Sequence, residues 1–399
     1  MKVEFEASKP SGKIAAPPSK SMAHRLLICA ALAKGKSEIS NVAFSQDILA
    51  TLDCLETLGA KIEIAENKVL IDGIEKFNKD VILDCRESGS TLRFLFPISI
   101  VKNNQVKFVG KGRLLSRPME EYRKISSKQD IGFEMSKKEI SVCGKLKSDI
   151  FEVNGDVSSQ FITGLLFSLP LLENDSSIVI KNKLESKPYV DMTVDCLEKF
   201  GVKVVWKSEN EIFVKGNQEY ICGDFSVEGD YSNSAFFIAM GEKVQVDGLD
   251  ENSLQGDKVF KKHYEQLLKE KVEIDITDCP DLGPVLFAVA SQNHGAVFEG
   301  TRRLRIKESD RAESMKTELE KFGVRVEILE NSVIIDNENF RKPSENLFCH
   351  NDHRIAMALS VLLIKTGGTL DGAECVKKSM PDFFEMTQKL NVRVKKYDS

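Results

Sequence analysis

The sequence predicts an α/β fold of two domains, each holding three copies of one helix–strand unit. Three observations lead there. A short pattern recurs along the 399 residues, its best copies stop their helical part on glycine, and each then switches to alternating apolar residues.

The clearest copies read LETLGAKIEI at 55–64, LEKFGVKVVW at 197–206 and LEKFGVRVEI at 319–328. In each, a segment of 3.6-residue apolar period ends at Gly59, Gly201 or Gly323. Glycine there can take the left-handed conformation that closes a helix. A two-residue period follows, as in Lys61-Ile62-Glu63-Ile64, which predicts a strand buried on one face. Weaker copies with a polar substitute for the glycine lie at 122–135, 264–274 and 383–394. Their starts are roughly 55 to 75 residues apart, beyond simple solenoid periods. That spacing suits a domain of three α/β units, present twice.

Pro17-Pro18 reads as a stiff linker before the first long helix, and Glu228-Gly229-Asp230 precedes the apolar helix 234–240. The predicted domains are therefore 19–229, and 1–18 combined with 230–399. Two chain crossings would allow a hinge, with a ligand cleft between the domains.

Composition bounds the function. Hydrophobic residues at 42% and charged residues at 29% are an ordinary globular balance. The net charge of -5 argues against general nucleic-acid binding, so an anionic ligand requires a local cationic cluster. Nine dispersed cysteines, none at CxxC spacing, predict free thiols in a reducing compartment and no zinc site. No apolar run approaches the roughly 20 residues of a membrane span. The segment 26–33 reads as a buried helix rather than a secretory core, because acidic residues and prolines precede it.

The chemistry gathers where helices begin. PSKSMAHRLL (18–27) offers Lys20, Ser21, His24 and Arg25; ESGSTLRFLF (87–96) offers Gly89, Ser90 and Arg93; DVSSQFITGLL (156–166) offers Ser158, Ser159 and Gln160. Further on, CPDLGPVLFAVA (279–290) offers Asp281, IKESDRAESM (306–315) offers Lys307, Glu308, Ser309 and Arg311, and NDHRIAMALS (351–360) offers Asp352, His353 and Arg354. A helix N-terminus carries unpaired N–H groups and partial positive charge, so it attracts anions. Basic and hydroxyl side chains in the same turn add charge-assisted hydrogen bonds. Taken singly, the serines and aspartates read as N-caps, the arginines as surface charges and the histidines as structural. Their joint occurrence points to a multiply anionic substrate.

Eight segments carry a resemblance: PSKSMAHR (18–25), SGSTLR (88–93), SRPM (116–119), SSQF (158–161), SKPYVDMT (186–193), IKESDR (306–311), NDHR (351–354) and MPDFF (380–384). In this order they resemble the 5-enolpyruvylshikimate-3-phosphate synthase family, also called 3-phosphoshikimate 1-carboxyvinyltransferase. The resemblance implies a two-domain inside-out α/β barrel, three βαβαββ-like units per domain, with helices inside and sheets outside. It implies transfer of the enolpyruvyl group of phosphoenolpyruvate to the 5-hydroxyl of shikimate 3-phosphate, in the cytoplasm, by a monomer with no metal or organic cofactor. Lys20, Ser21, Arg25, Ser158, Ser159, Gln160, Ser186, Asp281 and Lys307 are then expected to hold shikimate 3-phosphate. Lys20, Gly89, Arg117, Gln160, Arg311, Arg354 and Lys378 are expected to hold phosphoenolpyruvate. Asp281 is expected to be the base, and Glu308 the acid assisted by Lys20. The partners implied are these two small molecules, with no nucleic acid and no membrane.

Two positions depart from the family pattern. Glu87 stands where Asn is usual, which predicts a salt link to Arg86 or Arg93, or a side chain turned away. Arg303 stands where many relatives place an Asn on the shikimate ligand. Gly89 keeps the small residue that the phosphoenolpyruvate site, also the glyphosate site of the family, requires. The sister enzyme acting on UDP-N-acetylglucosamine normally has Lys-Asn in place of Lys20-Ser21 and a reactive Cys before its Arg-Pro, whereas 86–142 contains no Cys here. A DNA sliding clamp, also acidic and built of six repeated units, has no use for so many cationic helix starts.

Overall fold

The computed structural model describes residues 1–102, 104–337 and 339–397. The chain falls into two compact units, Lys20–Glu228, and Met1–Ser19 joined with Gly229–Ser399. Among the described residues there are twelve α-helices. The first unit holds α1 (Lys20–Leu32), α2 (Gln46–Leu58), α3 (Gly89–Ser99), α4 (Glu120–Lys128), α5 (Ser159–Ser168) and α6 (Lys187–Lys199). The second holds α7 (Tyr231–Ile238), α8 (Phe260–Leu267), α9 (Gly283–Gln292), α10 (Arg311–Glu320), α11 (His353–Thr366) and α12 (Phe383–Lys389).

The first unit has three four-stranded sheets of one pattern. In one, Val81–Asp84 lies parallel to Asn104–Val109, followed by Glu139–Gly144 and Gly132–Met135, each antiparallel to its neighbour. Ile150–Asn154, Ser176–Lys181, Glu211–Val214 and Val204–Ser208 repeat it. So do Phe225–Ser226, Lys36–Ser40, Lys68–Asp72 and Lys61–Ala65, where the first strand arrives from the far end of the unit.

The second unit has two such sheets. One is Val272–Asp275, Ala296–Glu299, Ser332–Asp336 and Arg325–Ile328. The other is Leu347–Phe348, Gly368–Asp371, Lys2–Phe5 and Val394–Tyr397. The sixth copy is reduced to the parallel pair Gly12–Ala15 and Val244–Asp247. The sequence pattern at 264–274 suggested a complete sixth unit. Instead α8 runs straight into Val272–Asp275, which opens the next sheet, so the hairpin of the sixth unit is missing.

The repeated helix stop has one physical cause. Gly59, Gly201 and Gly323 have φ of 121°, 76° and 80°, and the weaker copies place Asp130 at 55° and Asn391 at 62°. Asp and Asn are among the few side chains that tolerate this region, because they bond locally to the backbone.

Each unit encloses some of its helices, while α4 and α8 keep exposed faces. α1 is buried from Met22 to Leu32 and α11 from His353 to Ile364, without a solvent face. A helix apolar all round must be enclosed. The strands alternate, as Lys2–Phe5 and Ile150–Asn154 do, with one face on the core and one in water. α3 and α5 approach closely where α5 has Gly164. A Cβ there would overlap the Tyr122 hydroxyl and the Arg93 carbonyl, which themselves are hydrogen-bonded at 2.7 Å. All nine cysteines are free thiols. Among the described residues no helix is long and apolar enough to cross a membrane.

Candidate active site

The helix starts singled out in the sequence form two polar clusters, one in each unit. In the unit Lys20–Glu228, α1 opens with Lys20, whose Nζ lies 2.9 Å from the Asp47 carboxylate in the first turn of α2. Arg25, one turn further, is buried and bound to α6. It donates to the Thr193 hydroxyl at 2.9 Å and to the carbonyls of Tyr189 at 2.7 Å and Ser21 at 2.6 Å. Burial lowers its pKa to about 10, so it stays charged at neutral pH.

α3 and α5 are joined at their starts. Gln160 accepts from Arg93 at 2.7 Å and donates to the Ser90 hydroxyl at 3.0 Å. Ser90 therefore does not cap α3. Ser88 does, accepting from the Thr91 N–H at 3.2 Å. Ser158 caps α5 through the Gln160 N–H, and Ser159, beside it, is buried. Gly89, the first residue of α3, has Arg117 directly against it, since an added Cβ would lie 2.7 Å from the Arg117 Cζ. Ser186 precedes α6 with φ of 59°, a left-handed conformation that is rare for serine.

His24 takes no part in this cluster. Its Nδ1 is 2.8 Å from Thr51, which continues through Thr91 to the α3 cap Ser88, at 2.7 Å for each step. Burial, with Lys20 and Arg25 adding to it, pushes the His24 pKa well below the usual range, so the ring is neutral. Its role is to brace the start of α3.

In the other unit, Asp281 sits in a 3₁₀ turn, Pro280–Leu282, ahead of α9. It caps nothing. Three cations converge on its carboxylate: Arg311 at 2.8 Å, Arg354 at 3.0 Å and Lys307 at 3.2 Å. Arg311 also holds Glu308 at 2.6 Å and Asp352 at 2.9 Å. Asp352 does cap α11, accepting from the Arg354 N–H, and takes a bond from Ser309 as well. Lys378 lies one residue away from this knot, donating to the Asn351 carbonyl at 2.6 Å. His353 is buried beside Asp352 in the first turn of α11.

Lys307 and Asp257 titrate away from their usual ranges here. Burial depresses the Lys307 pKa to about 8 despite the opposing pull of Asp281. Burial, reinforced by Asp281, raises the Asp257 carboxyl to about 6. Asp257 is bonded to Ser232, whose hydroxyl accepts from Arg354 at 2.7 Å.

The sequence reading missed Asp47, Ser232 and Asp257. None stands beside a motif, and each acts only by contact with a residue far along the chain. Of the two departures, Glu87 places its carboxylate where a side chain at Gly112 would fall. Arg86 is engaged by Asp53 and Gln46, and Arg93 by Gln160 and the Pro118 carbonyl. Arg303 is buried and donates to the Thr277 carbonyl at 2.5 Å. Among the described residues no group of three or more His, Cys, Asp and Glu is placed to hold a metal ion.

Guanidinium groups suit carboxylates and phosphates through paired N–H bonds. The second cluster sets three cations around carboxylates, and the first adds Lys20, Arg25, Arg117 and hydroxyls at helix starts. Residues of these types are suited to multiply charged anions and to proton transfer beside them.

Comparison with known proteins agrees. The family model for EPSP synthase (3-phosphoshikimate 1-carboxyvinyltransferase) matches residues 6–387. A 3-phosphoshikimate 1-carboxyvinyltransferase of Clostridium perfringens is 42% identical, over 96% of this chain and 97% of the relative. One from Clostridium kluyveri is 44% identical over 96% of each. In fold, the chain is similar to EPSP synthase from Acinetobacter baumannii, with a TM-score of 0.81 at 21% identity, covering all of both chains. It is also similar to the enolpyruvyl transferase NikO from Streptomyces tendae, with a TM-score of 0.79 at 12% identity, over 99% of this chain and 98% of that one. With its motifs in the family's order and its sequence matched nearly end to end, the chain belongs to the EPSP synthase (3-phosphoshikimate 1-carboxyvinyltransferase) family.

Proposed function

We propose that the protein transfers the enolpyruvyl group of phosphoenolpyruvate to the 5-hydroxyl of shikimate 3-phosphate, releasing phosphate, on the route to chorismate and the aromatic amino acids. The observation that carries this is the convergence of Arg311, Arg354 and Lys307 on Asp281. A carboxylate in contact with three cations is a proton acceptor set beside an anion site.

The roles follow the family resemblance of the motif positions. The substrate hydroxyl attacks C2 of the enol phosphate, and its proton passes to Asp281. Glu308, assisted by Lys20, protonates C3. As phosphate leaves the tetrahedral intermediate, a methyl proton returns from C3 to Glu308 and Asp281 passes its proton to the departing phosphate, which restores both groups. Lys20, Ser21, Arg25, Ser158, Ser159, Gln160, Ser186 and Lys307 hold the shikimate ligand. Gly89, Arg117, Gln160, Arg311, Arg354 and Lys378 hold phosphoenolpyruvate, with Lys20 reaching it too. Both substrates carry a phosphate and a carboxylate, so fixed cations are the largest contribution to the rate. Glu308 must exchange its 2.6 Å contact with Arg311 before it can carry a proton to carbon, and an incoming anion on Arg311 provides that exchange.

On this function the protein acts as a monomer in the cytoplasm, on small soluble substrates, without nucleic acid or membrane. The test is phosphate release on mixing the protein with both substrates. Turnover that requires both is expected, and its absence would sink the assignment.

A further inference from the structure

Helix α10 grips one loop at two points. Its first residue, Arg311, holds Asp352 at 2.9 Å. Seven residues on, on the same face of the helix, Glu318 accepts from the Phe348 N–H at 3.0 Å and meets the His350 ring at 2.8 Å. Lys321 completes its surroundings at 2.9 Å. Glu318 is only 1% exposed, and a carboxylate is costly to bury without such partners.

The gripped loop is strained. His350 and Asn351 are consecutive left-handed residues, with φ of 51° and 53°. Asn and His enter this region more readily than most residues, but without glycine's freedom two in succession carry a steric cost. Strained residues persist where their surroundings fix them. The loop also bears on the site. The Asn351 carbonyl receives Lys378 at 2.6 Å, Asp352 caps α11, and Arg354 stands in the first turn of that helix.

We infer that Glu318 is a positioning residue, which through Phe348 and His350 fixes the left-handed pair and so sets Lys378 and Arg354 for phosphoenolpyruvate. This rests on the function proposed above. Glu318 touches no ligand itself.

The test is steady-state kinetics on the full-length chain, with the two Michaelis constants measured separately and thermal melting in parallel. Glu318→Gln is expected to raise KM for phosphoenolpyruvate about tenfold and leave that for shikimate 3-phosphate within about twofold. His350→Ala should move it the same way by about threefold, while His350→Gln, which keeps a donor within reach of Glu318, stays near wild type. A lower melting temperature with both constants unchanged would overturn the inference, as would equal rises in both. Should Glu318→Gln not fold, the His350 pair decides alone, and equal behaviour of His350→Ala and His350→Gln overturns it. A wild-type protein without turnover overturns the function itself, and the positioning role with it.

Discussion

Arg354 meets Asp281 twice, with one nitrogen on its carboxylate at 3.0 Å and the other on its main-chain carbonyl at 3.2 Å. With Arg311 and Lys307 on the same carboxylate, Asp281 occupies the cations that an anionic substrate needs. On the proposed function, binding therefore frees the base as it fills the site. Asp281→Ala is expected to lower kcat by about a hundred- to ten-thousand-fold. Because an internal competitor is removed, binding of phosphoenolpyruvate to the folded variant, followed by calorimetry, should not weaken. An unchanged kcat would remove Asp281 from the chemistry.

Gly89 leaves room for Arg117 alone. An added methyl would lie 2.7 Å from the guanidinium carbon, well inside contact distance. Gly89→Ala should therefore displace Arg117 and raise KM for phosphoenolpyruvate by about tenfold or more, the loss expected when a charged contact is misplaced. Melting temperature and KM for shikimate 3-phosphate should change little. A rise confined to the shikimate ligand would show that Arg117 serves the other substrate.

Gly164 is the same kind of close approach in the core. Its Cβ would collide with the Tyr122 hydroxyl and the Arg93 carbonyl, between the two helices that position Gln160, Ser90 and Arg93. Gly164→Ala should destabilise the protein by about 1–3 kcal/mol through overpacking. Chemical denaturation would register this, and a neutral result would mean that α3 and α5 separate at no cost.

Asp257 predicts a pH dependence. Its folded pKa of about 6 lies above the ordinary 3.8, so between those values the folded state keeps a proton that the unfolded chain has released. Stability from this group is present in acid and lost as pH rises through 6, on the order of 2–3 kcal/mol in full. Asp257→Asn cannot make that loss. The variant should match wild type near pH 4 and melt higher near pH 8. Parallel melting curves across this range would show that Asp257 is not held protonated.

What the sequence disclosed was what local chemistry decides. Helix stops were legible because a left-handed residue is most often Gly, Asn or Asp, and five of the six copies have one. Helix starts were legible as Ser or Asp followed by an apolar run. Which serine caps was not, since Ser88 and Ser90 differ only in the backbone conformation that the whole turn imposes. Asp47, Asp257 and Glu318 left no trace either. A buried carboxylate is recognised by its partners, and Lys20, Ser232 and His350 lie 27, 25 and 32 residues away from them along the chain. The truncated sixth unit escaped for a related reason: α8 ends and a strand follows, as in the other copies, and only pairing reveals which sheet that strand joins.

The strand Lys2–Phe5 lies between Gly368–Asp371 and Val394–Tyr397, pairing Lys2 with Asp371 on one side and Tyr397 on the other. Order of synthesis follows from this. This strand leaves the ribosome long before either of its partners, and until residues 368–397 follow it waits as an unpaired edge. The stretch Lys20–Glu228, by contrast, contains every strand of its own sheets and can mature while translation continues. A nascent chain arrested far enough past residue 228 for that residue to clear the ribosome should already protect that stretch from protease while leaving residues 2–15 open to cleavage.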